Sequence, residues 1–200
     1  MNIKCPRCGN KNTAPIMYGM PAYDEELEQA IADHKIVLGG CCISDSDPKY
    51  YCFQCRKKFG TPPILKSKYG REKYEDIITS IRFSDGGFFD GYPEILIKKE
   101  NDSIMIDVRP GFSLVGLLHR EMTEKEWKQI ISKLYEKLYI HEWKKRYDNP
   151  FVLDGEQWEL EIHLSRGRKR LYYGSNAYPA LWEELKSVFR PFFKEAGIKL

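Results

Sequence analysis

Six cysteines stand at positions 5, 8, 41, 42, 52 and 55, and none follows Cys55. Four of them form two C-x-x-C pairs, Cys5-Pro6-Arg7-Cys8 and Cys52-Phe53-Gln54-Cys55. Two intervening residues let the backbone turn tightly enough to aim both sulfurs at one tetrahedral ion at ~2.3 Å, each thiol losing its proton on binding. Met1 to Asn10 contain no apolar stretch of the kind a secretion signal needs, so a cytoplasmic setting is expected. In that setting paired C-x-x-C motifs read as metal ligands ahead of redox-active or merely buried thiols. The expectation is a structural zinc held by Cys5, Cys8, Cys52 and Cys55. Four thiolates around one divalent ion leave negative charge in excess. Lys4, Arg7, Lys11, Arg56, Lys57 and Lys58, which crowd both knuckles, would moderate it beside backbone N–H to sulfur bonds. Gly9 follows the first knuckle, where the chain tends to turn to positive φ; Arg56 holds the matching place in the second. A non-glycine residue there costs roughly 1–2 kcal/mol, so the second knuckle should be strained or differently shaped.

The elements that must bring the knuckles together lie between them. Pro21 to His34 carries Asp24, Glu25, Glu26 and Glu28 in its first turns and an apolar stripe of Leu27, Ala30 and Ile31, which predicts a short helix inserted into the ribbon. Ile36 to Gly40 reads as a strand, Asp45 to Pro48 as a turn, and Lys49 to Cys52 as a second strand. If the first strand continues to Ile43, Cys41 and Cys42 point to opposite faces and at most one can reach the ion. Both are expected as small buried hydrophobes. The competing assignment, in which one of them replaces Cys52 or Cys55, would break a knuckle.

The succession Cys5-Pro6-Arg7-Cys8-Gly9, Tyr18-Gly19-Met20-Pro21, Leu38-Gly39-Gly40-Cys41, Pro48 and Cys52-x-x-Cys55 resembles a widespread set of small bacterial zinc-ribbon proteins of unknown function, over about residues 1–60. Cys41 matches a recurring cysteine of that set, and Cys42 is a departure from it. The resemblance implies zinc and a bacterial cytoplasmic setting, and no reaction.

Gly60-Thr61-Pro62-Pro63 marks a boundary, because consecutive prolines continue neither a helix nor a central strand. It divides the chain into a zinc-ribbon domain, 1–60, a linker, 61–73, and an α+β domain, 74–200. In the last of these, Ile77, Ile78, Ile81 and Phe83 suggest a strand ended by Asp85-Gly86-Gly87. Next comes a hairpin of 94–99 and 103–109 around Asn101-Asp102, with Ile104, Ile106 and Val108 sharing one face. Thr123 to Glu126 fits a capping box, and Trp127, Ile130, Ile131, Leu134 and Leu138 extend a helix toward Tyr139 or beyond. Trp158, Leu160, Ile162 and Leu164 alternate with polar residues, and Arg166-Gly167 reads as a two-residue turn placing His163 opposite Arg170 and Tyr172 on the polar side. Pro179 opens a last helix with Leu181, Leu185, Val188, Phe189, Phe192 and Phe193 on one face and a kink at Pro191. The order is βββ-α-ββ-α, most simply an antiparallel sheet with two helices on one face, and the chain as a whole is α+β. Trp158-x-Leu160, then Tyr173-Gly174-Ser175-Asn176-Ala177-Tyr178-Pro179 with Trp182, is similar to a segment of uncharacterised bacterial proteins; Asn176 is expected to bond the helix entrance.

Composition narrows the function. The 32 Lys plus Arg against 29 Asp plus Glu leave a net charge of +3, too small for a histone-like partner, and no apolar run is long enough to span a membrane. His34, His119, His141 and His163 show no metal-ligand spacing, and no phosphate loop or nucleophile elbow occurs. Asp90, Glu94, Lys98, Asp107 and Arg109 could form a metal-dependent nuclease site, yet no acidic-x-Lys pair completes it. The expectation is a non-enzymatic zinc protein that binds another protein. The alternative is nucleic-acid binding by the basic segments 56–58, 66–73 and 166–170 with their neighbouring tyrosines, and the nuclease-like enzyme comes third.

Overall fold

The computed structural model describes residues 3–89, 91–101, 103–112, 118–152 and 155–199. The chain is a mixed α+β protein. Its first sheet has four strands in the order β2-β1-β3-β4: β1 Thr13–Tyr18, β2 Val37–Gly40, β3 Tyr50–Cys52 and β4 Lys57–Phe59. β1 runs parallel to β2 and antiparallel to β3, and a parallel neighbour requires a crossover. Helix α1, Glu25–Ala32, supplies it. The helix starts later than Pro21 because Asp24 is the capping residue, its Oδ1 accepting from Leu27 N at 2.9 Å, and it ends before His34, which turns to φ 58°. β2 stops at Gly40, at φ 124°, instead of running to Ile43. Cys41 and Cys42 therefore lie beyond the end of an edge strand, and both are exposed rather than buried.

Residues expected as a linker fold into a two-stranded hairpin, β5 Ile64–Ser67 and β6 Gly70–Lys73, pinned by Gly70 at φ 101° beside the turn. Leu65 reaches the main core, and Arg71 lies 3.6 Å from Asp45 of the first unit. A single helical turn, α2 Tyr74–Ile77, leads into the second sheet.

That sheet has seven strands in the order β10-β9-β8-β7-β12-β13-β11. They are β7 Ile78–Gly87, β8 Glu94–Glu100, β9 Ser103–Arg109, β10 Leu118–Glu121, β11 Arg146–Asp148, β12 Glu156–Leu164 and β13 Arg168–Ser175. The period-2 residues Ile106, Val108, Leu160 and Ile162 face inward as expected and are fully buried, as are Ile95 and Ile97 of β8. The two edge strands were not legible in the pattern, being short, and β11 makes the sheet mixed because it pairs parallel to β13. The β12–β13 register is one residue away from expectation: Leu164 pairs with Arg168 across a three-residue loop, so Ile162 faces Arg170 and Leu160 faces Tyr172. Arg166 and Gly167 both take positive φ in that loop. The shift moves Tyr172 from the polar side into the core, since a one-residue slip exchanges faces.

Helix α3, Glu124–Ser132, begins with the predicted capping box and passes into a π-helical turn over 133–137. It ends at Tyr139, whose φ of 50° breaks the helix. Helix α4, Trp182–Glu195, continues through Pro191. Trp127 and Leu134 from the first helical segment, and Leu185, Phe189 and Phe193 from the second, meet the inward strand residues in one cluster; Phe83 stacks on Phe189 at 4.7 Å. Each such side chain contributes about 1.5–3 kcal/mol through burial. Asn176 accepts from Glu156 N at 3.0 Å, fastening the start of β12 instead of the helix entrance.

Candidate metal centre

Pairing of β1 with β3 sets Thr13, shortly after the first knuckle, opposite Cys52. The β3–β4 hairpin closes the second knuckle through Cys52↔Lys57. Cys5 N bonds Asn10 O and Gly9 N bonds Cys5 O, each at 2.9 Å, closing the first knuckle on itself. The result places one sulfur from each of Cys5, Cys8, Cys52 and Cys55 within 4.8 Å of the other three. Cys5 Sγ lies 3.7 Å from Cys55 Sγ, and Cys8 Sγ 3.6 Å from Cys52 Sγ. Sulfurs at four tetrahedral corners 2.3 Å from one ion stand about 3.8 Å apart, so the cage fits a four-thiolate ion, and the separations are far too long for disulfides at about 2.05 Å.

Gly9 sits at φ 71° and Arg56 at φ 53°, so the knuckles share one shape and Arg56 bears the strain. The backbone N–H groups of Arg7 and Cys8 point at Cys5, and those of Cys55 and Gln54 at Cys52. Burial pushes the Cys5 thiol up to about 12, aided by its contacts with Cys55 and Cys8. Burial also raises Cys55, with Cys52 adding to it. Burial opposes ionisation of Cys52 too, but the N–H groups and neighbouring thiols outweigh it and hold that thiol below its ordinary value. Thiols so divided do not all ionise unaided; a divalent cation would supply the compensating charge, and protons would compete with it as pH falls.

The larger unit reaches into this cage. Tyr139 joins Cys5, Cys52 and Phe59 in a separate buried cluster, its ring 6.0 Å from that of Phe59. Further along the same turn, Glu142 Oε1 accepts from Gly60 N and Thr61 N at 2.9 Å and from Thr61 Oγ1 at 2.8 Å. Lys4 pairs with Glu184 of α4, and the Gly9 Cα faces Ala180, where an added Cβ would meet the carbonyl oxygen at 3.4 Å. The thiolate unit is thus docked on the sheet unit, which neither the knuckle spacing nor the proline joint foretold.

The other candidate residues do not assemble into a centre. Asp90 lies outside the described residues. Glu94 is bound to Arg82 at 3.0 Å, Lys98 pairs with Glu100, and Asp107 Oδ1 lies 2.6 Å from Nδ1 of His119. Among the described residues, the four cysteines are the group of three or more His, Cys, Asp or Glu side chains that lie close enough together to share a metal. The basic segments 66–73 and 166–170 do come together: Glu72 bridges Arg166 and Arg168, at 2.5 and 2.7 Å, and the Arg166 guanidinium stacks 4.2 Å over Tyr69. One perturbed carboxylate passed as turn chemistry in the sequence. Burial raises Asp85 to about 6, with Lys186 opposing and Glu156 and Glu183 reinforcing the shift.

Compared with known proteins, the chain matches no family model and no curated protein. No helix among the described residues is long and apolar enough to cross a membrane.

Proposed function

We propose that Cys5, Cys8, Cys52 and Cys55 hold one structural zinc ion, that residues 1–60 form a zinc ribbon with α1 inserted between the knuckles, and that the protein is a non-enzymatic cytoplasmic binding module. The carrying observation is the sulfur cage, with contacts of 3.6 and 3.7 Å between knuckles. All four corners of a tetrahedron are taken by protein, so such an ion has no open position for substrate and its work is to fold the ribbon. The resemblance to small bacterial zinc-ribbon proteins agrees with this. Exposed aromatic side chains at Phe88, Phe89, Phe112 and Phe151 support a protein partner, because apolar rings left in water favour burial against another surface. The test is native mass spectrometry of the purified protein. One zinc per chain, absent from a Cys5→Ser, Cys52→Ser variant, is the expected result; a metal-free protein with an intact first sheet contradicts it.

The second reading is nucleic-acid binding, favoured by the meeting of segments 66–73 and 166–170 around exposed Tyr69. Phosphate-led binding weakens steeply with salt, so a DNA or RNA complex lost between low and moderate salt supports this reading, and absence of any low-salt complex rejects it.

A further inference from the structure

The vicinal pair Cys41–Cys42 belongs to neither unit's core. Free cysteine is among the most buried residue types, yet both of these thiols are exposed and neighbour each other at Sγ···Sγ 3.9 Å. The space beside them is open: an added Cβ at Gly40 meets nothing within 4 Å. A second chain segment meets them there. Gly19 N bonds Gly40 O at 2.9 Å and the Gly19 Cα faces Ile43, so exposed Met20, the next residue, leaves β1 beside the dithiol. Two exposed thiols and exposed Met20 thus sit on chain segments that leave the same end of the first sheet.

Geometry distinguishes what two adjacent thiols can do. Neighbouring Cα atoms across a trans peptide are about 3.8 Å apart, short of the ~4.4–6.8 Å that a relaxed disulfide spans, so an internal disulfide would be strained and readily reduced. Two metal–sulfur bonds of ~2.3 Å spanning the observed 3.9 Å meet at about 115°, an ordinary angle for an ion with three or four ligands. Thiolate with thioether is a soft donor set, which selects a soft monovalent ion such as Cu(I) over hard cations.

We propose that Cys41 and Cys42, with Met20 beside them, form a second metal site, open to solvent, that takes up a soft thiophilic cation of the Cu(I) class. Binding forms two Cu–thiolate bonds and one Cu–thioether bond, releases two thiol protons and the ligands that carried the copper in, and leaves the oxidation state unchanged. Unlike the four-cysteine cage, this site leaves coordination positions open, so ligand exchange with another thiol carrier is direct and the ion can be passed on. The proposal does not depend on what the four-cysteine cage holds.

The test is anaerobic titration of the full chain, as isolated, with Cu(I) supplied as its bicinchoninate complex, while metal released from the protein is followed with a zinc indicator. The expected result is uptake of one copper per chain with no zinc released. A Cys41→Ser, Cys42→Ser variant should lose that uptake while keeping its folded spectrum, and Met20→Leu should weaken it on the order of tenfold. Undiminished copper uptake by the double variant overturns the proposal. So does uptake that occurs only in step with zinc release, because the copper then sits in the cage.

Discussion

The seven-stranded sheet and the four-cysteine unit meet the same thermodynamic demand by different means. Behind the sheet, Trp127, Trp158, Phe83, Phe189 and Phe193 are all but fully buried among isoleucines and leucines, and their burial opposes the entropy of ordering the chain. The smaller unit clusters Cys5, Cys52 and Phe59, with Ala14 and Leu27 buried apart from them, and the fourth member of the cluster, Tyr139, is lent by its neighbour. A core so small cannot order about 60 residues by apolar burial. Docking onto a larger body makes up part of the difference, and cross-linking through the proposed ion would supply the rest. Where hydrophobic area is scarce, a few residues with special chemistry carry the fold, and such a region is the more sensitive to single changes.

That contrast can be broken first by removing the proposed ion. Structural zinc supplies about 10–16 kcal/mol of apparent binding energy in small zinc peptides, so chelation should unfold the first sheet while leaving the second. Hydrogen exchange reads the two separately: amides of β1, β3 and β4 should lose protection, and those of β7, β8 and β12 should keep it. Loss of protection throughout would show one cooperative unit. The converse change is Phe83→Ala, which removes a fully buried ring stacked on Phe189 and should cost about 3–5 kcal/mol in denaturant unfolding of the sheet unit without altering zinc content.

A smaller effect should appear at Asp85. Its folded pKa of about 6 exceeds the ordinary 3.8, so between those values the folded state binds more protons and stability falls as pH rises. Asp85→Asn should flatten that window and raise stability at pH 7 by about 1–2 kcal/mol, discounted for the group's partial exposure. Melting temperatures of the two proteins at pH 4, 5, 6 and 7 check both slope and sign. The smallest change expected is at the second knuckle: Arg56→Gly relieves a left-handed residue at φ 53° and should stabilise zinc-loaded protein by about 1 kcal/mol. The same exchange would equalise the knuckles without touching the sheet.

Much of the molecule was legible because the chemistry was local. The C-x-x-C spacing named all four cage residues, the Thr123 to Glu126 box named a helix start, and alternation along 103–109 and 158–164 named the buried faces. What escaped depended on distant partners or on one residue of loop length. The Cys41–Cys42 pair looked like strand interior until β2 ended at Gly40 on a sheet edge. Tyr172 changed sides because the β12–β13 loop holds three residues instead of two. Tyr139 and Glu142 reach the first unit through backbone turns that no periodicity marks. The hairpin of 64–73 hid behind lysines and prolines that read as spacer.

The proposal that four sulfurs share one ion in the first unit is tested most directly by X-ray absorption at the zinc edge. The expected spectrum has a single shell of four sulfur neighbours near ~2.3 Å in the protein as isolated. A shell containing nitrogen or oxygen donors, fewer than four sulfurs, or no bound zinc would contradict it.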